Sequence, residues 1–189
     1  MSAQDSKLFV ISGPSGAGKG TLVTRVRERR SNLGLTVSAT TRAPRKGEVD
    51  GVNYFFLTRE EFDRRVANGE FVEWAEVHGN CYGTLVSEVT SKLASGASLI
   101  LEIDVQGALQ VKERFPEAVL IFIKPPSLEV LRERLVGRGT ETPETIELRM
   151  ANAADELALA DRYDDVVVND DLDRATDELV RVIDMHERI

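Results

Sequence analysis

GPSGAGKGT, at residues 13–21, follows a short apolar run (KLFVIS, 7–12) and opens a segment with helical spacing. It matches the pattern G-x-x-x-x-G-K-[ST] except at the last position, where Gly20 replaces the hydroxyl residue and Thr21 follows one residue later. A glycine-rich loop between a buried strand and a helix turns backbone N–H groups towards an anion. The alternative is a glycine-rich turn with a solvent-facing lysine, but the flanking strand and helix favour a phosphate loop.

The missing hydroxyl at Gly20 affects only one expected contact, the direct side-chain ligand to Mg²⁺. Mg²⁺ keeps several of its waters and needs few protein ligands when phosphates supply the rest. We therefore expect the loop to bind ATP with Mg²⁺, with Lys19 reaching the β- and γ-phosphates and Thr21 making a phosphate or water contact. The expected ATP contacts are Gly13, Pro14, Ser15, Gly16, Ala17, Gly18, Lys19, Gly20 and Thr21.

The composition is that of an ordinary globular protein. The 189 residues are 42% hydrophobic and 30% charged, with a formal net charge of −8. An acidic surface argues against general nucleic-acid binding, which needs a basic field. The single cysteine, Cys81, excludes an intrachain disulfide and a cysteine-cluster metal site. No apolar run approaches the length of a membrane span, so we expect a cytoplasmic protein that binds neither nucleic acid nor membrane.

Short apolar strands alternate with helical segments along much of the chain, which predicts a parallel sheet covered on both faces, a three-layer α/β/α fold. The strands of that sheet are expected at 7–12, 35–39, 98–104, 118–124 and 164–170. Turn and hairpin signals interrupt the alternation over about 35–96, which predicts an insertion with its own antiparallel sheet. A smaller lid is predicted at about 137–149. The core is then about 1–34, 97–136 and 150–189.

Five further blocks resemble guanylate kinases, and they follow in that family's order. They are SATTRAPRKGEVDGVNYFF (38–56), GEFVEWAEVHGNCYGT (69–84), LEIDVQGALQV (101–111), GRGTETPETIELRM (137–150) and VVVNDDLDRA (166–175). The segment GAGKGT (16–21) is also similar to the loop of nucleoside monophosphate kinases. The resemblance implies a P-loop fold with a GMP-binding insertion and a lid. It also implies transfer of a phosphoryl group from ATP to GMP with Mg²⁺, in purine nucleotide metabolism.

Two arginines three residues apart, Arg42 and Arg45, lie on a loop with proline and glycine and are followed by Tyr54. Two guanidinium groups and a phenol hydroxyl can make a compact site for a dianion. Taken alone, the two arginines favour a solvated basic loop, whereas the surrounding blocks favour the site. The resemblance implies that these three residues hold the phosphate of GMP, with Tyr82 as a further partner.

Guanine offers N1–H and N2–H₂ donors beside the O6 acceptor, so a carboxylate can accept from both donors and a hydroxyl can donate to O6. The resemblance implies these roles for Glu73 and Ser38, with Thr84 and Asp104 assisting. In isolation, Glu73 would be an exposed strand carboxylate and Ser38 a hydroxyl at a strand end.

Glu102 and Asp104 are two residues apart on a predicted strand, so we expect them to share one face. Their position near the phosphate loop suits water-mediated Mg²⁺ binding and contact with the GMP base. The family usually has aspartate at the position of Glu102, so the charge is kept and the reach is one methylene longer. We interpret Cys81, beside Tyr82, as a small neutral residue in the wall of the GMP pocket.

Transfer to a phosphate needs positioning and charge neutralisation more than a general base, because the accepting oxygen is already anionic. We expect Lys19 and Arg42 to be catalytic. The resemblance implies that Arg138 and Arg149, in the lid, close over the transferred phosphoryl group.

Two further residues are expected at the ATP site. Arg134 is a third candidate for the lid, with a surface ion pair to Glu133 or Glu129 as an equal alternative. Asn169 resembles the family's residue near the adenine of ATP.

Three other functions are compatible with parts of the sequence. Domains similar to guanylate kinase also serve as non-enzymatic interaction modules, but these tend to have damaged phosphate loops. A kinase for another monophosphate is disfavoured by Glu73 and Ser38, which suit guanine. A GTPase is disfavoured because we find no base-recognition block of that class. The sequence does not indicate an oligomeric state.

Overall fold

The computed structural model describes residues 6–77, 79–137 and 142–188. The strands in these residues are β1 (Leu8–Ser12), β2 (Gly34–Leu35), β3 (Ala39–Thr40), β4 (Phe55–Phe56), β5 (Phe71–Val77), β6 (Asn80–Leu85), β7 (Leu99–Glu102), β8 (Val119–Lys124) and β9 (Asp165–Val168). The α-helices are α1 (Lys19–Arg29), α2 (Arg59–Ala67), α3 (Val86–Ala94), α4 (Val105–Arg114), α5 (Leu128–Gly137), α6 (Pro143–Leu157) and α7 (Leu172–Glu187).

The central sheet has the strand order β2-β7-β1-β8-β9, and all of its pairs are parallel. Successive side chains of β1 point to opposite faces: Phe9 and Ile11 pack towards α1 and α7, whereas Leu8 and Val10 pack towards α3 and α4. The predicted parallel sheet covered on both faces is therefore confirmed. Parallel order brings the carboxyl ends of these strands to one edge, where the phosphate loop follows β1.

Several helices begin where the sequence places a capping side chain. Thr58 accepts a hydrogen bond from the backbone N–H of Glu61 at 3.1 Å, and Ser127 accepts one from Val130 at 3.2 Å. Thr142 caps α6, with Pro143 in its first turn. Each cap satisfies one orphan N–H group and is worth about 1 kcal/mol. These contacts fix the starts of α2, α5 and α6.

The second sheet has the order β4-β3-β6-β5 and lies within the predicted insertion. Its β3–β6 and β5–β6 pairs are antiparallel, but β3 and β4 are parallel, so the sheet is mixed rather than antiparallel as predicted. The reason is the loop from 41 to 54, which is long enough to return the chain to the start of β3. That loop carries both arginines of the predicted GMP site.

The predicted strand at 35–39 is wrong as a single element. Gly34 and Leu35 pair with β7 of the central sheet, whereas Ala39 and Thr40 pair with β6 of the second sheet. The apolar run LTVSA therefore crosses from one sheet to the other. The helix α3 packs on the central sheet through Val89, although it falls within the predicted insertion. The division of the chain into core, insertion and lid stays a prediction.

Candidate active site

The phosphate loop lies between the end of β1 and the start of α1. Gly13 approaches strand β8 so closely that a Cβ built on it would stand 2.2 Å from the carbonyl oxygen of Ile123. Gly18 has a φ of 91° and forms the N-cap of α1. Lack of space excludes a side chain at Gly13, and the positive φ disfavours one at Gly18. The loop is thus held tightly against the edge of the sheet, with the N-terminus of α1 facing outwards.

Lys19 lies across this loop. Its ammonium group donates to the carbonyl oxygens of Gly13 at 2.6 Å and Pro14 at 3.1 Å. These contacts hold the charge over the hollow of the loop, where phosphate oxygens would gather. The structure therefore places the ammonium group of Lys19 at the phosphate loop, and its contact with the β- and γ-phosphates stays a prediction.

Glu102 lies beside the first turn of α1. A Cβ built on Gly20 would stand 3.5 and 3.7 Å from the two carboxylate oxygens of Glu102. Burial raises the pKa of Glu102, and the positive charge of Lys19 partly offsets this. A concave site of about 320 Å³ is lined by the phosphate loop, Thr21 and Glu102. A carboxylate and a hydroxyl beside a phosphate-binding hollow are oxygen donors that fit Mg²⁺.

Asp104 does not share a strand face with Glu102, so that prediction is wrong. Strand β7 ends at Glu102, and Asp104 is the N-cap of α4, where its carboxylate accepts from the N–H of Gly107 at 2.8 Å. A Cβ on Gly107 would stand 3.5 Å from that carboxylate and 3.3 Å from the carboxylate of Glu73. Glu102 therefore lies at the phosphate loop, whereas Asp104 lies near Glu73. Their predicted contacts with Mg²⁺ and GMP stay predictions.

Glu73 is a buried carboxylate, with 7% of its surface exposed. Burial raises its pKa, and the charge of Asp104 acts in the same direction, while contact with Thr84 opposes the change. Thr84 is fully buried and pairs with Glu73 across β5 and β6. Ser38 immediately precedes Ala39, which pairs with Gly83, so it lies near Thr84. The predicted base-binding residues therefore gather at one place, close to the N-terminus of α4.

Three of the residues predicted to hold the phosphate of GMP also lie together. The guanidinium carbon of Arg42 lies 5.4 Å from the ring centroid of Tyr54, and the rings of Tyr54 and Tyr82 are 6.2 Å apart in an edge-on contact. The hydrogen bond with Glu48 raises the pKa of Arg42, and the nearby Tyr82 acts in the same direction to a smaller extent. Arg45 lies on the same loop and is exposed. The sequence analysis did not identify Glu48.

Cys81 is not in the wall of this site. It is 1% exposed and packs with Ala39, Phe62 and Phe71 on the hydrophobic side of the second sheet. Neighbouring residues of a strand face opposite sides, so Cys81 points away from the side of Tyr82. The earlier interpretation was wrong because it used adjacency in sequence instead of strand alternation.

Asn169 follows β9 and supports the phosphate loop. Its side-chain amide donates to the carbonyl oxygen of Ala17 at 2.7 Å, and its own backbone carbonyl accepts from Arg134 at 2.8 Å. The described contact of Arg134 is therefore with Asn169, not with Glu133 or Glu129. Both residues lie at the edge of the loop on the side of α5.

Arg149, on α6, reaches the phosphate loop and donates to the hydroxyl of Ser15 at 2.5 Å. Arg138, the other predicted lid arginine, lies outside the described residues.

Glu156, also on α6, was not found by sequence analysis. Burial raises its pKa, Lys19 lowers it, and Asp104 raises it further, so its carboxylate faces the same region. The position of Glu156 becomes visible only when α6 is packed on the core, because a single glutamate on a helix has no sequence pattern that indicates a site.

The fold and these contacts define a class, the P-loop nucleotide-binding proteins. The guanylate kinase family model matches residues 5–186. A guanylate kinase of Halalkalibacterium halodurans is 52% identical over 183 residues, covering 97% of this chain and 90% of the relative. One from Gloeobacter violaceus is 56% identical over 178 residues, covering 94% and 87%.

A solved structure of a guanylate kinase is also similar to this chain. The crystal structure of guanylate kinase from Anaplasma phagocytophilum is 36% identical, with a TM-score of 0.73, covering 96% of this chain and 86% of that one. This chain belongs to the guanylate kinase family. None of the helices within the described ranges is long and apolar enough to cross a membrane.

Proposed function

We propose that this protein transfers the γ-phosphoryl group of ATP to GMP and releases ADP and GDP. The observation that carries the proposal is the pairing of two sites. One is the phosphate loop with Lys19, and the other is the group of Arg42, Tyr54 and Tyr82, which would bind a second anion on the sheet that also carries the buried carboxylate of Glu73. Membership of the guanylate kinase family supports the same reaction, which would act in the cytoplasm, in purine nucleotide metabolism.

ATP would bind with its phosphates on the loop. The backbone N–H groups of the loop and the N-terminus of α1 would face the β- and γ-phosphates. Lys19 would exchange its contacts with Gly13 and Pro14 for phosphate oxygens. Arg149 would move from Ser15 to the transferred group. Asn169 would keep the loop in shape through Ala17, with its other amide atoms near the nucleotide.

GMP would bind at the second site. Its phosphate would lie against Arg42, Arg45, Tyr54 and Tyr82. Its base would face Glu73, which can accept from both N1–H and the N2 amino group, while Ser38 donates to O6. Thr84 and Asp104, which lie beside Glu73, would assist in binding the base.

The chemical step follows from this arrangement. An anionic oxygen of the GMP phosphate attacks the γ-phosphorus of ATP, a new P–O bond forms, and the bond from the γ-phosphorus to the bridging oxygen breaks to leave ADP. Lys19, Arg42 and Arg149 neutralise the charge that spreads over the transferred group. Mg²⁺, when bound, neutralises charge on the β- and γ-phosphates. Glu102 and Thr21 would hold it through water.

The test is formation of ADP from ATP and Mg²⁺ with GMP, AMP, CMP, UMP, dTMP or no acceptor, beside a Lys19→Ala variant. We expect fast ADP and GDP formation with GMP alone and loss of this activity in the variant. Turnover with AMP equal to that with GMP would contradict the assignment of Glu73. A folded protein that binds GMP without turnover would instead favour an interaction module.

A further inference from the structure

Glu48 makes three contacts inside the candidate GMP phosphate site. Its two carboxylate oxygens accept from Nη2 of Arg42 at 2.9 and 3.1 Å. One of these oxygens also accepts from the backbone N–H of Arg45 at 2.6 Å. The pair is largely shielded from solvent, with side-chain exposures of 16% for Arg42 and 19% for Glu48. One carboxylate therefore links both arginines of the loop.

These contacts fix the plane of the Arg42 guanidinium group. Nη1 donates to the carbonyl oxygen of Ala43 at 2.8 Å, and the group also lies over the rings of Tyr54 at 5.4 Å and Phe56 at 5.9 Å. An arginine has five N–H donors, and the contacts to Ala43 and Glu48 use at most three of them. At least two donors remain for a phosphate, in a plane that is already set.

Glu48 is itself fixed by the turn that carries it. Its backbone N–H donates to the carbonyl oxygen of Arg45 at 3.0 Å, while its carboxylate accepts from the N–H of Arg45. This reciprocal pair closes the turn 45–48, in which Gly47 has a φ of 91°. The hydrogen bond from Arg42 and then that from Arg45 lower the pKa of Glu48, so the carboxylate is ionised at neutral pH.

A carboxylate in this place can act on GMP in two opposite ways. It can compete with the phosphate for Arg42, since the two arginines and Glu48 together carry a charge of only +1. It can instead hold Arg42 in the orientation that the phosphate needs, which lowers the entropy cost of binding. The reciprocal turn favours the second effect, because the N–H of Arg45 anchors the Glu48 carboxylate and so gives Arg42 an acceptor in a fixed place.

We propose that Glu48 is a positioning residue for acceptor binding, which sets the orientation of Arg42 and the shape of the Arg45 turn before the phosphate arrives. The inference rests on the proposed placement of the GMP phosphate at these two arginines. It predicts that the effect of Glu48 is confined to ligands that carry a phosphate. It also predicts that the side of the enzyme that binds ATP is unaffected.

The experiment compares Glu48→Gln with Glu61→Gln, a control in the same insertion that breaks another arginine–glutamate pair, Arg65 with Glu61 at 2.7 Å. We expect Glu48→Gln to raise the KM for GMP about tenfold, since an amide makes weaker hydrogen bonds to both partners than a carboxylate does. The KM for ATP and the inhibition constant of guanosine, which has no phosphate, should not change. The Glu61→Gln variant should match the parent protein in all three.

Each other outcome overturns the inference. A lower KM for GMP would show that Glu48 competes with the phosphate, and an unchanged KM would show that it does not position Arg42. Equal weakening of guanosine and GMP would indicate a general role in folding of the insertion. Arg42→Lys is measured in parallel. An unchanged KM for GMP in Arg42→Lys would contradict the proposed placement of the GMP phosphate. A raised KM in Arg42→Lys together with an unchanged KM in Glu48→Gln would contradict only the proposed role of Glu48.

Discussion

At the scale of single residues, Glu73 illustrates how function opposes stability. Burial raises its pKa, so the folded protein binds a proton at Glu73 more tightly than the unfolded chain does. For an acid with a raised pKa, the charged form destabilises the fold, and the cost is present above the folded pKa and disappears as the pH falls below the unfolded value. Wherever the Glu73 carboxylate is ionised, its burial therefore costs stability, and the proposed contact with guanine is what this charge would serve.

We therefore expect Glu73→Gln to raise the unfolding temperature at pH 7 by a few degrees. The gain should shrink towards pH 4, because Glu73 of the parent protein then becomes neutral as well. The same variant should lose about 10- to 100-fold in kcat/KM for GMP, since the amide group meets the guanine donors with a donor of its own. Thermal melts at the two pH values and steady-state kinetics test this. A less stable variant with unchanged GMP kinetics would contradict it.

A second residue-scale prediction concerns the missing hydroxyl of the phosphate loop. Space exists for it, because a Cβ on Gly20 would meet the carboxylate of Glu102 only at ordinary contact distance. If Glu102 supplies the metal contact in place of a hydroxyl, Glu102→Gln should raise the Mg²⁺ concentration needed for half-maximal rate several-fold, by roughly 1 kcal/mol. The double variant Gly20→Ser/Glu102→Gln should recover part of this loss.

The measurement is the rate against free Mg²⁺ at saturating ATP and GMP. Thr21→Val is the matched comparison, since Thr21 lines the same hollow. If Glu102→Gln responds to Mg²⁺ as the parent protein does, while Thr21→Val does not, the metal contact belongs to Thr21 alone.

At the scale of elements, α6 brings Arg149 to the phosphate loop. Leu131 and Leu135 of α5 pack against Ala153 and Met150 of α6, and this packing directs Arg149 towards Ser15. We expect Arg149→Ala to lower kcat by about 100-fold or more, with small changes in both KM values, because the charge is needed most in the transition state. Arg132→Ala, which breaks an exposed contact of the same helices with Glu147, is the control. Equal losses in both variants would indicate general damage to the lid.

Sequence patterns predict elements well where the cause of the element is local, such as a capping side chain or a buried apolar run. Thr58, Ser127 and Thr142 cap the helices that directly follow them in sequence, and the predicted apolar runs at 7–12 and 118–124 form β1 and β8. The run at 35–39 was predicted as one strand, because an apolar run does not show which sheet each half will join. Asp104 was placed on a strand, although its better partner is the N–H of Gly107 at the start of α4.

At the scale of the whole molecule, the candidate site lies between two sheets that are joined by few connections. The motifs predicted which residues gather at the site, but not the residues that link its parts. Glu48 is an example: a glutamate on a polar loop has no distinctive pattern, and only the folded loop shows that it contacts both arginines. Glu156 is another, since its position depends on how α6 packs. Such contacts depend on tertiary geometry, which local spacing does not encode.

Two side chains of α3 bind the end of β2 and the segment between β2 and β3, where the chain passes from the central sheet to the second sheet. Lys92 donates to the carbonyl oxygen of Leu35 at 2.7 Å, and Glu88 accepts from the N–H of Val37 at 2.8 Å. On the other side, Arg114 of α4 donates to the carbonyl oxygen of Phe71 at 3.0 Å. These contacts hold the ends of the second sheet near the core.

We expect the second sheet and α6 to approach each other by several ångströms when both nucleotides bind, because transfer to GMP requires water to be kept from the γ-phosphate. Spin labels at Glu60→Cys on α2 and Glu144→Cys on α6 should report a shorter distance with GMP and a non-hydrolysable ATP analogue. Labels at Glu113→Cys and Arg181→Cys, both on helices of the core, should not move. The native Cys81 is buried and should label slowly. An unchanged distance between the first pair would mean that the site binds both substrates without closing, and water would then have to be excluded by the nucleotides themselves.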